Sequence, residues 1–190
     1  MARGSSAQPN LYLIGFMAVG KSLIGRWVAR RLGLRFLDSD AEIERTAGMT
    51  VAEIFVSEGE AAFRDRERAF IEEGHPPSGC VVSCGGGLPI PPGMADRLRA
   101  RGVVVCLFAS AETLYERAMK NTTRPLLAVD DPQQRIRDLL AERLPIYQSI
   151  GIGVSAEGRP TREIADNVVR VYRREAAIFA TSAARTPTRQ

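Results

Sequence analysis

The chain has little of what metal centres, disulfide scaffolds and membrane proteins require. Its 190 residues include three cysteines and a single histidine, His75, and the loop-like stretch GHPPSG around that histidine argues against a metal site. Three cysteines, two flanking one apolar run and one inside another, favour buried free thiols in a reducing compartment. No apolar run approaches the roughly 18 residues of a membrane span. We therefore expect a cytoplasmic protein with no membrane partner.

Composition and charge indicate an ordinary globular domain. The chain is 45% apolar and 25% charged, and its net charge of +4 comes from interspersed residues. This balance favours anionic small ligands over nucleic acid, and we expect a monomer. The start, MARGSSAQPN, is polar and too short for a signal peptide. We expect residues 1–10 to form a disordered tail, residues 175–190 to form a flexible one, and His75 to be a solvated loop residue.

Short apolar runs alternate with segments of helical period along the chain. The stretch KSLIGRWVARRLG places Ile24, Trp27, Val28 and Leu32 on one helix face and ends at Gly33. This alternation favours a three-layer α/β/α fold, in which helices cover both faces of a parallel sheet. Such folds bind ligands at the carboxyl ends of their strands. The runs predicted as strands are LYLIGF, RFLDSD, CVVSC, VVVCLFA and GIGVSA.

The stretch GFMAVGKS, residues 15–22, satisfies the pattern G-x-x-x-x-G-K-[ST]. It follows a predicted strand and opens a predicted helix, so its backbone N–H groups would concentrate positive potential where phosphates bind. Lys21 would reach the outer phosphates and Ser22 would bind Mg²⁺. An ordinary glycine turn is the alternative. Ala18 is a mild change from glycine if its φ is negative, and a problem if the residue is left-handed.

Two aspartates, Asp38 and Asp40, end the second predicted strand. Because alternate side chains of an extended chain point the same way, both carboxylates would face the phosphate-binding loop. One would then hold the hydration shell of Mg²⁺, and the other would orient or deprotonate a hydroxyl nucleophile. A solvated turn remains an alternative, as does an Asp40 that only caps the next helix.

The stretches FRDRE and CGGG carry weaker signals. Arg64 and Glu67 are one helical turn apart, and a surface ion pair is the ordinary outcome of that spacing. Three consecutive glycines, Gly85, Gly86 and Gly87, cost backbone entropy that the close approach of a ligand would justify. A plain turn is the alternative for these glycines.

Two further arginines follow late in the chain. TTRPLL gives Arg124 a rigid following proline, and the polar segment AMKNTTR that leads to it is a candidate mobile lid. An arginine that closes onto a transferring phosphate is a recurrent device. AERLPIY places Arg143 on a predicted helix, where by itself it would be interpreted as a surface residue.

Together these stretches resemble the shikimate kinase family, in chain order from Leu11 to about Tyr172. The resemblance implies a P-loop fold like that of the nucleoside monophosphate kinases, with a five-stranded parallel sheet. It implies one kinase domain over 11–174, with a substrate-binding subdomain at about 38–73 and a lid at about 118–131. The implied reaction is Mg²⁺-dependent transfer of the ATP γ-phosphate to the 3-hydroxyl of shikimate, in aromatic amino-acid biosynthesis. The stretches are GFMAVGKSLIGRWVARRL, FLDSDAEIE, IFVSEGEAAFRDRE, VVSCGGG, RPLL and ERLPIY.

The resemblance also implies roles at the matching positions. Mg²⁺ would be bound by Ser22 and, through water, by Asp38. The implied catalytic residues are Lys21, Asp40 as the base and Arg124 as the lid arginine. Shikimate would contact Asp40, Gly85, Gly86 and Gly87, and its carboxylate would pair with Arg64 and Arg143. ATP would contact Gly15, Ala18, Val19, Gly20, Lys21, Ser22, Leu23, Arg117, Arg124, Arg159 and Pro160, with Arg117 and Pro160 sandwiching adenine.

Some positions depart from the family pattern or leave alternatives open. Ala18 stands where glycine is common, and Leu23 stands where threonine is common. VVSCGGG lacks the usual Walker-B aspartate, as the family typically does, and its Ser83 could act through water bound to magnesium. Phe55 and Phe63 would wall the shikimate pocket or simply pack in the core.

Three other functions compete with this interpretation. A small-molecule kinase of the same fold, such as one acting on gluconate, would share the phosphate loop but not the FRxxE stretch and the second arginine. A regulator could bind nucleotide without transferring phosphate, although every residue expected for chemistry is present. A nucleic-acid-binding role would rest only on the pI of about 9.3 and the basic tail.

Overall fold

The structure, a computed structural model, describes residues 8–120 and 129–183. Its centre is a five-stranded sheet of order β2-β3-β1-β4-β5 in which all the paired strands are parallel. This confirms the predicted parallel sheet. The strands are β1 (Asn10–Ile14), β2 (Arg35–Asp38), β3 (Cys80–Ser83), β4 (Gly102–Phe108) and β5 (Ile152–Ser155).

Helices connect successive strands and cover the sheet on both sides, as predicted. The first and last helices, α1 and α8, pack on each other, with α1 also against β3 and α8 against β4. No helix in the two described ranges is both long enough and apolar enough to span a membrane. The helices are α1 (Lys21–Leu32), α2 (Ser39–Ala47), α3 (Val51–Ser57), α4 (Gly59–Glu72), α5 (Met94–Arg101), α6 (Ala111–Met119), α7 (Pro132–Ile150) and α8 (Thr161–Ala183).

The inner strands are apolar because both faces of the sheet are covered. Every residue of β1 and β3 is buried, and only the last residue of β4 is exposed. A strand buried on both faces reads as a continuous apolar run without alternation, which is why the sequence revealed these strands. Their shared direction brings the turns after β1, β2 and β3 to one edge of the sheet, where the candidate residues lie.

The ends of the chain are more ordered than the sequence suggested. The predicted tail over residues 175–190 is wrong in its first part, because α8 continues to Ala183. The predicted N-terminal tail is also too long, since Pro9 bridges to Ser78 and Asn10 begins β1. Residues 1–7 and 184–190 lie outside the described residues.

One single-residue expectation is wrong, and another residue is more exposed than its apolar helix face suggested. Trp27 is 38% exposed, so the buried face of α1 is narrower than the helical period indicated. His75 is half-buried between the rings of Tyr12 and Phe70, and its Nδ1 lies 2.8 Å from the carbonyl oxygen of Pro76. Burial lowers its pKa, so His75 is a packed structural residue and not a solvated one.

Candidate active site

The phosphate-binding loop, residues 15–22, joins β1 to α1. It closes against the neighbouring strand, because a Cβ on Gly15 would lie 2.2 Å from the carbonyl oxygen of Leu107. Gly20 is the N-cap of α1 and is left-handed, with φ 101°. The loop therefore delivers its backbone to the amino end of a helix, where backbone N–H groups have no partner within the helix and can bind an anion.

Ala18 adopts a left-handed conformation within this loop. Its φ is 61°, and no other non-glycine residue in the described ranges has a positive φ. A left-handed alanine brings its Cβ close to the following carbonyl oxygen, at a cost of roughly 1–2 kcal/mol. Of the two alternatives left open for Ala18, the structure adopts the left-handed one, in which alanine is a strained replacement for glycine.

Lys21 and Ser22 lie at the first turn of α1, facing different partners. The Lys21 Nζ donates to the carbonyl oxygens of Gly15 and Phe16, at 2.9 and 3.0 Å, so the ammonium lies across the mouth of the loop. The Ser22 hydroxyl donates to Asp38 at 2.7 Å and lies 3.2 Å from the hydroxyl of Ser83. Three side chains thus bring oxygen atoms together beside the loop, and oxygen is the type of ligand that Mg²⁺ prefers.

Asp40 reaches the site from a helix and not from the end of a strand. Asp38 is the N-cap of α2 and makes no side-chain cap hydrogen bond, while Asp40 lies in the first turn of that helix. The strand alternation that predicted their common direction is therefore wrong. The two carboxylates are nonetheless close enough to interact. The pKa of Asp40 is raised, mainly by burial and then by the charge of Asp38, while Lys21 opposes the shift.

Ser39 holds Asp40 against the glycine turn, residues 85–87. Its hydroxyl donates to Asp40 at 3.2 Å and accepts from the backbone N–H of Gly85 at 2.8 Å. Ser39 is fully buried. Sequence reasoning missed it, and the signal available was a small polar residue between two acidic candidates.

The glycine turn fits closely around catalytic candidates, which a plain turn would not require. A Cβ on Gly85 would lie 2.5 Å from the carboxylate of Asp40, and one on Gly87 would lie 2.6 Å from the guanidinium of Arg64. A Cβ on Gly86 would make only ordinary contacts, the nearest at 3.5 Å to the backbone nitrogen of Met17. Neighbouring side chains therefore explain why Gly85 and Gly87 carry no side chain. No such steric conflict with the protein explains the glycine at position 86.

Arg64 and Glu67 form an ion pair whose glutamate is buried and whose arginine is partly exposed, so the alternative of a plain surface ion pair is wrong. Arg64 Nη1 donates to Glu67 Oε2 at 2.6 Å, and the side chain of Glu67 is 1% exposed. Burial raises the pKa of Glu67 to about 7, assisted by the charges of Asp40 and Glu60 and opposed by Arg64. The guanidinium is also held by Glu60 at 2.8 Å and lies 5.6 Å from the ring centre of Phe63.

Arg143 lies on α7 with part of its guanidinium buried. Its Nε is buried and has no hydrogen-bond partner among the described residues. Tyr147, one turn later, is 1% exposed and donates its hydroxyl to the carbonyl oxygen of Gly86 at 2.6 Å. A buried donor without a partner is costly, so the Arg143 Nε is a candidate ligand contact rather than the surface group that its helix position suggested.

Arg117 links the phosphate-binding loop to the nucleotide loop, residues 156–160, which joins β5 to α8. Its guanidinium donates to the carbonyl oxygens of Val19 and Ala156, at 3.3 and 2.8 Å. Glu157 fastens the nucleotide loop to the start of α6, accepting from the Ser110 N–H at 3.1 Å, from the Ser110 hydroxyl at 2.5 Å and from the Thr113 hydroxyl. Sequence reasoning missed Glu157.

The remaining predicted residues are less tightly placed. Leu23 is 55% exposed at the start of α1. Arg159 and Pro160 are exposed in the nucleotide loop, and Arg159 shares a concavity along β5 with Arg170 and Arg174. The Phe55 and Phe63 rings pack 5.0 Å apart, with Phe63 buried and Phe55 partly exposed. Arg124 and most of the predicted lid fall within residues 121–128, outside the described ranges.

Comparison with known proteins gives this arrangement a family. The shikimate kinase family model matches residues 17–173. The chain belongs to the shikimate kinase family. A shikimate kinase from Thermus thermophilus is 44% identical over 179 residues, which cover 93% of this chain and 97% of the relative. The predicted family, and an enzyme that transfers phosphate to an alcohol, are thereby confirmed.

Solved structures agree with the family assignment. The shikimate kinase from Acinetobacter baumannii in complex with shikimate has a TM-score of 0.80 and 37% identity, and the match covers 88% of this chain and 94% of that chain. A gluconokinase from Sinorhizobium meliloti has a TM-score of 0.62 at 20% identity, covering 92% of this chain and 97% of that chain. The likeness to the gluconokinase concerns the fold alone, because the identity is low. The family assignment therefore decides for shikimate kinase activity over gluconate kinase activity.

Proposed function

We propose that this enzyme binds ATP on the phosphate-binding loop and shikimate in the space bounded by α4, the glycine turn and α7. The family supplies the reaction class, and the placement of each group is inferred from the contacts of this chain. The observation that carries the placement is the buried, unpartnered Nε of Arg143, on the helix whose Tyr147 holds Gly86. A carboxylate such as that of shikimate would accept from this donor.

Two arginines make a suitable carboxylate site. Arg64 is held by Glu67 and Glu60, which fixes its plane before a ligand arrives. Guanidinium groups bind carboxylates through paired, parallel hydrogen bonds, which set the orientation of the ligand as well as its affinity. A Cβ on Gly86 would not clash with the protein. The absence of a side chain there would instead let the hydroxyl-bearing ring of shikimate approach the backbone.

The nucleotide would lie across the helix start of α1, with its base toward the nucleotide loop. Lys21 would exchange its present carbonyl partners for phosphate oxygens, and Arg117 and Pro160 would flank the adenine. Arg159 and the lid residue Arg124 are further proposed ATP contacts. The oxygens of Ser22, Asp38 and Ser83 fit Mg²⁺, which would keep several waters and neutralise phosphate charge when bound.

Asp40 is the residue proposed to act on the hydroxyl. The 3-hydroxyl oxygen of shikimate forms a bond to the γ-phosphorus of ATP, the bond from that phosphorus to the β-phosphate bridging oxygen breaks, and ADP leaves. The hydroxyl proton passes to a carboxylate oxygen of Asp40. Burial and the charge of Asp38 raise the Asp40 pKa, and a base with a raised pKa accepts a proton more readily at neutral pH.

The proposal extends to the state and location of the enzyme. We propose a monomer in a reducing, cytoplasmic setting, where its three buried cysteines would stay free thiols. Nucleic acid and membrane are not proposed partners.

Two variants test the assignment of roles. Asp40→Asn should lower kcat by about 100-fold or more, as for loss of a general base, while ATP affinity measured by calorimetry stays within about twofold. Arg143→Lys keeps the charge but loses the planar pair of donors, so the KM for shikimate should rise while the KM for ATP is unchanged. An unaffected rate for Asp40→Asn would exclude Asp40 as the base, and an unchanged KM for Arg143→Lys would exclude the carboxylate site.

A further inference from the structure

The hydroxyl of Tyr147 connects two elements that are both proposed to contact shikimate. It donates to the carbonyl oxygen of Gly86 at 2.6 Å from a side chain that is 1% exposed. Tyr147 follows Arg143 by one helical turn, and residues four apart lie on the same face of a helix. The positive charge of Arg143 acts on the Tyr147 hydroxyl directly, since it lowers the pKa that burial raises.

The bond to Tyr147 completes the fixing of the glycine turn. The carbonyl oxygens on either side are already held within the turn, that of Gly85 by the N–H of Leu88 and that of Gly87 by the N–H of Ile90, each at 3.1 Å. The Gly86 carbonyl accepts from Tyr147 instead. Because a carbonyl and the next N–H belong to one rigid peptide plane, holding the Gly86 oxygen also fixes the direction of the Gly87 N–H.

The turn holds the parts of the proposed acceptor site in register. Gly85 donates to Ser39, which donates to Asp40, while Gly87 lies directly beneath the guanidinium of Arg64. A glycine turn without side chains has more backbone freedom than any other sequence. An external anchor on its middle residue would therefore set the distance between the proposed base and the arginine on α7.

We propose that Tyr147 is a positioning residue for shikimate, which locks the Gly86 peptide and so aligns the glycine turn with Arg143. This inference rests on the proposed placement of shikimate. It assigns no bond-making step to the tyrosine. Tyr147 contributes only to the proposed binding site for shikimate. Removal of its hydroxyl should therefore weaken the binding of shikimate and leave the binding of nucleotide intact.

The chain offers a matched control in Tyr172. That side chain is 2% exposed and donates its hydroxyl to the carbonyl oxygen of Pro9 at 2.7 Å. Its partner lies before the start of β1, at the end of the sheet opposite the phosphate-binding loop. Tyr172→Phe and Tyr147→Phe each delete one hydroxyl that donates to a backbone carbonyl, so both should lower the unfolding midpoint by a similar amount.

The test compares steady-state kinetics of the full-length variants at a temperature well below both unfolding midpoints. Tyr147→Phe should raise the KM for shikimate by about five- to tenfold, the range expected from the loss of one hydrogen bond, with the KM for ATP within about twofold of wild type. Tyr172→Phe should leave both KM values unchanged. The pH dependence of kcat should be the same in all three proteins, because the Tyr147 pKa of about 12 keeps its proton in place.

Several outcomes would overturn the inference. An unchanged KM for shikimate in Tyr147→Phe would exclude the positioning role. Equal rises in the KM for shikimate and the KM for ATP, or the same change in Tyr172→Phe, would show that the hydroxyl contributes only to overall stability. Failure of the proposed function looks different, because wild type would then show no shikimate-dependent turnover. Failure of the proposed placement is also separate, since Arg143→Lys would then leave the KM for shikimate unchanged while wild type stays active.

Discussion

Glu67 is buried against Arg64 and within electrostatic reach of Asp40. The Arg64–Glu67 pair is joined at 2.6 Å, and Glu67 is 1% exposed. A Cβ on Gly85 would lie 2.5 Å from an Asp40 oxygen and 3.3 Å from a Glu67 oxygen, so two carboxylates flank one glycine. Burial dominates the Glu67 pKa, which rises to about 7 even with the arginine present. The ion pair orients Arg64, but the burial of the Glu67 carboxylate lowers the free energy of unfolding at neutral pH.

Glu67→Gln should change how stability depends on pH. The folded pKa of Glu67, about 7, lies above its usual value of 4.5, so the folded state binds the proton more tightly than the unfolded state. Its contribution is therefore full below pH 4.5 and is lost as the pH rises to 7. Relative to wild type, the variant should become more stable over this window by up to about 3 kcal/mol.

Urea unfolding of wild type and Glu67→Gln at pH 5 and pH 7.5 measures this difference. Glu142→Gln, an exposed change on α7, is the control and should show little pH effect. A stability difference between wild type and Glu67→Gln that is the same at both pH values would contradict the raised pKa. The KM for shikimate should rise in Glu67→Gln, because Arg64 loses its charged anchor.

Ala18→Gly should stabilise the enzyme. The left-handed conformation of Ala18 destabilises the folded state by roughly 1–2 kcal/mol, which glycine would avoid. Glycine also gives the unfolded chain more conformational freedom, which offsets about 0.4–1 kcal/mol of this gain. The net gain in the free energy of unfolding should be about 0.5–1 kcal/mol. Ala61→Gly on exposed, helical α4 is the control, where glycine should destabilise by about 0.5–1 kcal/mol. A loss of stability in Ala18→Gly would show that the conformation is not strained.

Alanine at the two outer glycines should damage different kinetic constants. Gly85→Ala pushes on the carboxylate of Asp40 and should lower kcat by about 10-fold or more, because small displacements of a reacting group are costly. Gly87→Ala pushes on the end of the flexible Arg64 side chain, so the KM for shikimate should rise with a smaller effect on kcat. The same change in both constants for both variants would argue for simple collapse of the turn.

Glu157→Gln should weaken nucleotide binding alone. The carboxylate accepts three hydrogen bonds from Ser110 and Thr113, which lower its pKa, and the amide cannot accept all three with the same strength. We expect the KM for ATP to rise a few-fold and the KM for shikimate to stay unchanged. Glu163→Gln at the start of α8 is the control, and an unaffected KM for ATP in Glu157→Gln would sink this assignment.

The periodicity of the sequence was enough for the sheet, the phosphate-binding loop and the convergence of strand ends. These features depend on local patterns, so the sequence alone placed Ser22 and Asp38 near each other. The i, i+3 spacing of Arg64 and Glu67 is the same on a surface and in a core, which is why their burial was missed. The spacing of Asp38 and Asp40 failed in another way, because β2 ends at Asp38, two residues before the end of the predicted strand, and α2 begins at Ser39.

Other parts of the site depend on contacts between distant segments. Ser39, Tyr147 and Glu157 owe their positions to partners 46, 61 and 47 residues away, and no local pattern marks such pairs. Ala18 is the third residue of a turn closed by the Val19 N–H and the Phe16 carbonyl oxygen, 3.4 Å apart, and a left-handed φ is common at that position of a turn. The identity of the residue does not indicate this conformation, although the departure from the glycine common in the family at position 18 was a relevant signal.

Shikimate-dependent release of ADP in the presence of Mg²⁺ tests the central claim most directly. A coupled assay should show turnover that requires ATP, Mg²⁺ and shikimate together, with no turnover on gluconate and at least a roughly 100-fold lower rate for Asp40→Asn, by the usual scale of general-base catalysis. Turnover with gluconate and none with shikimate would contradict the account.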